Sequence, residues 1–388
     1  MERLNKKGAF LSYIYGYLNL VHVNHMNKPE NISWKEYKIF KTSIYLGVSK
    51  RFALYLFKVL SLFQFLELFI SFFIVVYRFL YCIIKKMFTR KETIGTKIIT
   101  IGEGYPRQIE LLSKTTLDSK EITVITIPFT SKNLYEKDRH ISVLSKLSHR
   151  DIVICLLWAM QLMVYMNRKY RKQDVLMRYY SSFDFFMAYL FSNNASESYT
   201  FLFFSTYTRW AYLNGGLNNR KIFVQHGFLS GKWKLVKRIG RVDYAFYINE
   251  EQRLICEKML FENSPTYELL EGLKFTMNMP SDKKSVLIIG NNSYNEIEEE
   301  IIKKLSKNRS LVLLVKPHPG LKDNSFYHKM KFEYGVMLLN KNDYPKVNYV
   351  FSYNSTLATQ YEDAGIIVYR YKDDTFGEDL NRLATILS

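Results

Sequence analysis

Over the last hundred residues, short apolar runs alternate with amphipathic helical patterns, and this alternation constrains the fold more than any other feature. Ser285–Ile289, Ser310–Val315, Asn348–Ser352 and Ile366–Tyr371 read as strands. Between the first two, Glu296–Leu305 carries acids first and lysines last, the order a helix dipole favours. Strands separated by helices need crossover connections, so the sheet they form is parallel and covered on both faces. A fainter version of the pattern spans 96–230. There Lys97–Ile101, Glu121–Ile127, Tyr199–Phe204 and Lys221–Val224 are strand-like, and 107–112, 141–169, 176–191 and 206–213 are helical. A bridge over 231–282 holds a strand at Tyr244–Ile248 and a helix from the N-cap Asn249 to about Leu260. A closing helix is expected over 380–387.

The first 95 residues read differently: aromatic, basic and poor in glycine. Phe63–Ile84 is predominantly apolar, interrupted by the charges Glu67 and Arg78 alone, and Lys85-Lys86 closes it. A spanning helix needs about 20 predominantly apolar residues, and a charge at mid-membrane costs roughly 3 kcal/mol. An interfacial helix anchored by flanking cations fits this composition best; a span and a buried core helix are the other two readings. The expected division is therefore 1–95 as a helical membrane-associating region, 96–275 as an N-terminal Rossmann-like domain with its bridge, and 276–388 as a C-terminal Rossmann-like domain.

A formal net charge of +19 implies anionic partners. The cations are dispersed, and neither zinc-finger spacing nor an RNA-binding signature occurs, which favours anionic lipid and phosphorylated substrates over nucleic acid. Cys82, Cys155 and Cys256 are widely spaced and odd in number, which fits a reducing compartment rather than a disulfide framework. The N-terminal thirty residues show no secretory signal pattern.

Three strand-exit loops carry chemistry. Lys316-Pro317-His318-Pro319 pairs a cation and an imidazole on a loop stiffened by two prolines. An ordinary solvated exit is the competing reading. Gln225-His226-Gly227 places a side chain that titrates near neutrality beside a glycine that permits a tight turn or close ligand approach. A structural histidine is the competing reading there. Asn354-Ser355-Thr356 opens a helix, where backbone N–H groups and hydroxyls suit a phosphate, although a plain N-cap looks the same. Gly290-Asn291 opens the C-terminal domain and either caps its helix or touches a ligand. Gly102-Glu103-Gly104 lacks the third glycine of a dinucleotide fingerprint and is not read as one; Glu103 is a further candidate base.

In this order, Val224-Gln225-His226-Gly227, Val315-Lys316-Pro317-His318-Pro319-Gly320 and Ser352-Tyr353-Asn354-Ser355-Thr356-Leu357-Ala358 with Gly365 resemble the motifs of bacterial surface-polysaccharide glycosyltransferases of the GT-B fold. That group includes capsule polysialyltransferases, Kdo transferases and teichoic acid glycerophosphotransferases. The resemblance covers roughly 200–388 and implies two Rossmann-like domains facing a cleft. It implies donor-phosphate roles for His318, Ser355 and Thr356, with the histidine assisting nucleotide departure. Where sialyltransferases place an acid-acid-Gly motif this chain has Gln225-His226-Gly227, closer to the teichoic-acid polymerases, in which histidine is the base. The position of the ribose-binding glutamate of many such enzymes is Thr359, and Glu362 follows one turn later.

The expected activity is thus metal-independent, inverting transfer from a nucleotide-activated sugar, CMP-sialic acid-like among the donors implied, to a capsule, lipopolysaccharide or other surface glycan. His226 and His318 would be catalytic. Lys316, Asn354, Ser355, Thr356, Gly227, Gly290, Asn291 and Glu362 would bind substrate. No cofactor beyond the co-substrate is expected, and the acceptor would be lipid-linked or an oligosaccharide. The enzyme would sit on the cytoplasmic face of the inner or plasma membrane. The alternatives are a CDP-glycerol- or ribitol-type phosphotransferase and a non-catalytic membrane assembly protein.

Overall fold

The computed structural model describes residues 6–26, 51–52, 54–55, 58, 66–101, 111–129, 140–170, 181–206, 208–215, 218–229, 231, 233–280, 283–290, 294–317, 325–340, 342–353, 355–371, 377 and 380–381. The chain divides into two compact units, Met1–Leu270 and Glu271–Ser388.

In the first unit the strands are β1 (Ile98–Ile101), β2 (Ile122–Thr126), β3 (His140–Ser142), β4 (Thr200–Phe203), β5 (Lys221–Val224), β6 (Tyr244–Tyr247) and β7 (Thr266–Leu269). They form one sheet in the order β3-β2-β1-β4-β5-β6-β7, and every pairing is parallel. The order reverses between β1 and β4. Period-two alternation divides the apolar side chains between two faces. Phe201, Phe203, Phe223 and Tyr247 pack towards one helical layer, and Leu202, Phe204, Val224 and Phe246 towards the other side.

That helical layer comprises α1 (Lys6–Met26), α2 (Leu66–Phe88), α3 (His149–Tyr170), α4 (Ser182–Asn193) and α5 (Arg209–Gly215). Among the described residues, the N-terminal helices α1 and α2 are not a separate region. Tyr13 and Ile14 of α1, with Val75 and Cys82 of α2, join the same core as Ile99 and Phe201 of the sheet. Gly16 makes this possible: a Cβ there would lie 2.3 Å from the Arg209 backbone, so α1 meets the start of α5 nearly backbone to backbone. Asn19, fully buried, donates to the Tyr212 hydroxyl and accepts from the Val236 N–H at 2.7 Å.

The expected helix over 141–169 starts instead at 149. A reciprocal cap sets the boundary: Ser148 Oγ accepts the Asp151 N–H at 3.2 Å, and the Asp151 carboxylate accepts the Ser148 N–H at 2.8 Å. Residues upstream are thereby free to extend as β3. The Asn249 cap forms as expected, accepting from the Gln252 N–H and starting α6 (Glu250–Met259).

The second unit has the same winding on a smaller scale. Its strands are β8 (Met277–Asn278), β9 (Lys284–Ile289), β10 (Leu311–Lys316), β11 (Met337–Leu338), β12 (Pro345–Lys346), β13 (Tyr349–Ser352) and β14 (Ile367–Arg370). The main sheet runs β11-β10-β9-β13-β14, with β8 and β12 paired separately. All pairings are parallel. Helices α7 (Asn295–Leu305), α8 (Ser325–Tyr334) and α9 (Thr356–Asp363) connect them. The boundary lies at Leu270–Glu271 rather than at 275 because Leu273 and Phe275 already pack in the second core, beside Leu287 and Val350. The strands β7, β8, β11 and β12 and the helix α8 are elements the sequence pattern did not signal.

Candidate active site

Ligands of open α/β sheets bind at the carboxyl ends of the strands, where the strand order reverses. In the first unit that place is the end of β1 and β4, and β5 lies next to it. His226 follows β5 by two residues and is half-buried. Its Nδ1 is 2.7 Å from the carbonyl oxygen of Phe204, one residue past β4. A carbonyl only accepts, so Nδ1 carries the proton and donates. In the neutral ring the lone pair therefore resides on Nε2, the form a general base requires.

The loop bearing His226 is clamped from beneath. Gln225 is fully buried. Its Nε2 donates to the Gly227 carbonyl at 2.9 Å and to Gln252 Oε1 at 2.8 Å. Its Oε1 accepts the Ile248 N–H at 3.2 Å. Gln252, also buried, accepts the Leu229 N–H at 2.8 Å and donates to the Leu229 carbonyl at 3.2 Å. Two amides thus satisfy the backbone of the turn without a charge, and they hold the imidazole at a fixed height. Gln252 was not anticipated; its signal was the apolar-face position on a well-capped helix. At Gly227 a Cβ would meet nothing within 4 Å, so packing does not demand glycine there. The missing side chain leaves room beside His226.

In the second unit the reversal lies between β9 and β13, whose ends carry Gly290 and Ser355. Ser355 is the N-cap of α9, its Oγ accepting the Leu357 N–H at 3.2 Å. The hydroxyl keeps its own O–H to donate, and the first turn of α9 points its N–H groups the same way. Tyr294 and Tyr353 stack beside it with centroids 3.9 Å apart.

Lys316 differs from the expected phosphate cation. It ends β10, is 7% exposed, and its ammonium donates to the carbonyls of Asn340 at 2.9 Å and Asp343 at 2.8 Å. It also lies 4.3 Å from the Tyr344 ring centroid. Alternation directs this side chain back under the sheet edge, where it staples the loop after β11.

Gly290 is likewise occupied by packing. A Cβ would lie 2.2 Å from the Tyr327 hydroxyl. That hydroxyl and the Tyr371 hydroxyl each donate to the fully buried Glu298 carboxylate at 2.8 Å. Burial, then the Glu298 charge, pushes both phenols far above their ordinary range. Glu362 sits about 9 Å along α9 from its start and pairs with Arg370 at 2.6 Å. The same guanidinium donates to Thr359 at 3.1 Å, so one unanticipated arginine clips both positions considered for a ribose contact. His318, Asn291, Asn354, the side chain of Thr356 and Gly102-Glu103-Gly104 lie outside the described residues.

No family model matches this chain, and no curated protein does. Among solved structures it is similar to TarM, with 13% identity and a TM-score of 0.30 over 53% of this chain and 50% of TarM, so it spans about half of TarM's length. The spinosyn rhamnosyltransferase SpnG complexed with spinosyn aglycone gives 9% identity and a TM-score of 0.31, over 70% of this chain and 79% of SpnG. UDP-N-acetylglucosamine 2-epimerase from Rickettsia bellii gives 9% and 0.33, over 70% and 78%. At these values the likenesses carry no argument about chemistry. The doubly wound architecture is read from this chain's own strand orders.

Proposed function

We propose that this protein transfers a sugar from a nucleotide-activated donor to a hydroxyl of a surface-glycan acceptor, inverting the anomeric centre. The observation that carries the reading is His226, whose Nδ1 is fixed on the Phe204 carbonyl at the carboxyl edge of a parallel sheet. Nε2 takes the acceptor hydroxyl's proton as that oxygen bonds to the anomeric carbon. The carbon–oxygen bond to the donor phosphate breaks, and the nucleotide leaves with the electron pair. In the second unit, taken by itself, the Ser355 hydroxyl and the first-turn N–H groups of α9 suit a donor phosphate. His318, Asn354 and Thr356 join this role by the resemblance of their motifs, and Lys316 supports it indirectly by holding its loop. The acceptor is a lipid-linked or oligosaccharide glycan.

A second reading keeps the same base and moves the attack to phosphorus of a CDP-activated polyol. Histidine at 226, where the sialyltransferase pattern has an acid, favours it. Incubating the purified protein with CMP-, UDP- and CDP-activated donors and an oligosaccharide acceptor separates the two. Release of nucleotide from a sugar donor supports the first, and turnover of CDP-glycerol alone replaces it with the second. Turnover of none, together with unchanged glycan synthesis in cells carrying His226→Ala, would leave a non-catalytic assembly role.

A further inference from the structure

The helical layer of the first unit has an outer face that the proposed chemistry does not use. On α2, Phe69, Phe73, Tyr77, Leu80, Ile84 and Phe88 are all exposed, between 52% and 81%. Their spacing of four, four, three, four and four puts them in one helical stripe. The opposite stripe is inside the protein: Ser71, Val75 and Cys82 are buried, and Arg78 is ion-paired with Asp184 of α4. On α3, Val153, Leu157 and Val164 form a second exposed stripe at the same period, while Ile152, Leu162 and Met163 face the core.

The two helices that bear these stripes pack against each other. The end of α2 meets the residues just before α3, where Lys86 donates to the Leu144 carbonyl at 2.6 Å and Lys146 to the Glu92 carbonyl. Cations therefore flank the face at both ends. Exposed Lys85, Arg90 and Lys91, with Glu92 the acid among them, stand at one, and exposed Arg168 and Lys169 at the other.

We infer that the exposed faces of α2 and α3 form one in-plane docking surface for an anionic lipid bilayer. A transmembrane passage does not fit, because the inner stripe of α2 packs in the core shared with the sheet. The Arg78 charge that argues against a span is spent inside the protein. Burial pushes the Asp184 carboxyl up to about 7 against the pull of Arg78, as expected of a protein interior. An aromatic and aliphatic face bounded by cations lies at the headgroup boundary, apolar side down. A second copy of the chain is disfavoured by charge. With cations at both ends, parallel and antiparallel pairing both set like charges together, whereas anionic headgroups complement both ends. The inference is independent of the transfer reaction.

The test is sedimentation of the purified full chain with phosphatidylcholine vesicles and with vesicles also containing phosphatidylglycerol. The expected result is binding to the anionic vesicles that weakens with salt. Lys85→Gln, Arg90→Gln and Lys91→Gln together should weaken it about 100-fold. Phe69→Ser, Phe73→Ser, Leu80→Ser and Ile84→Ser together should weaken it by more than ~100-fold. All seven substituted positions are exposed, and an unchanged melting transition checks the fold. Absence of binding by the wild-type chain overturns the inference. So does binding lost in salt yet indifferent to the serine variant, which is adsorption of a basic protein only. Lipid-free dimers dissolved by the serine variant would assign the face to a second copy instead.

Discussion

The two sheets share a winding order but furnish their carboxyl edges in opposite ways. In the first unit the scaffold is neutral: Gln225 and Gln252 satisfy the turn, and the titratable His226 is held above them. Among the described residues of the second unit, the groups with the most reactive appearance are themselves scaffold. Lys316 holds a loop, Glu298 ties two tyrosines, and Gly290 makes room for one of them. Among the described residues, what remains for a ligand there is a helix start with a hydroxyl. A charged residue at a strand end is thus not by itself a ligand-binding residue, because the direction of its side chain decides.

Substitutions test this contrast, beginning with the largest effect. His226→Ala should lower turnover about 1,000-fold, within the usual range for loss of a general base, while leaving the melting temperature near that of wild type. A parallel loss of stability would make His226 scaffold too and erase the contrast. Lys316→Ala should destabilise the second unit by about 3 kcal/mol, since two part-buried carbonyls lose a charged donor. Lys316→Met, which keeps the packed stem, should recover only part of this in denaturant titrations. If Lys316→Ala instead melts normally but fails to bind nucleotide, the lysine is a ligand after all.

Gln252→Leu should cost about 2 kcal/mol by orphaning the Leu229 backbone and Gln225. It should also lower turnover without altering the pH dependence of the remaining activity, because it displaces the base without replacing it. Smallest is the coupling at Gly290. Gly290→Ala should cost about 1–2 kcal/mol through the clash with Tyr327, and Tyr327→Phe should relieve part of it, so the double variant falls short of the sum. Strict additivity in unfolding free energy would show that the contact is not what requires glycine.

Much of the second unit was legible because its strands are short, apolar and separated by charged helices whose ends follow the dipole. The first unit was less so. The start of α3 turned on one Ser148–Asp151 cap within a long apolar stretch, and β7 alternates too weakly to stand out. The N-terminal helices were ambiguous for a physical reason. Aromatic and basic composition describes a membrane face and a core face equally well, and α1 proves to be core while α2 has one buried and one exposed stripe.

By itself, the sequence determined most of the strands of the two main sheets, that the connections are crossovers and hence the sheets parallel, and where loops of His, Gly and Ser would emerge. Those features are local, set by residue periodicity and capping. Tertiary structure alone decided that Phe204 would orient the His226 ring, that Lys316 would turn inward, and that Arg78 would meet Asp184. Each of these joins residues far apart in the chain, or a side chain to a loop of another element. Such pairings follow from packing geometry, which no local pattern encodes.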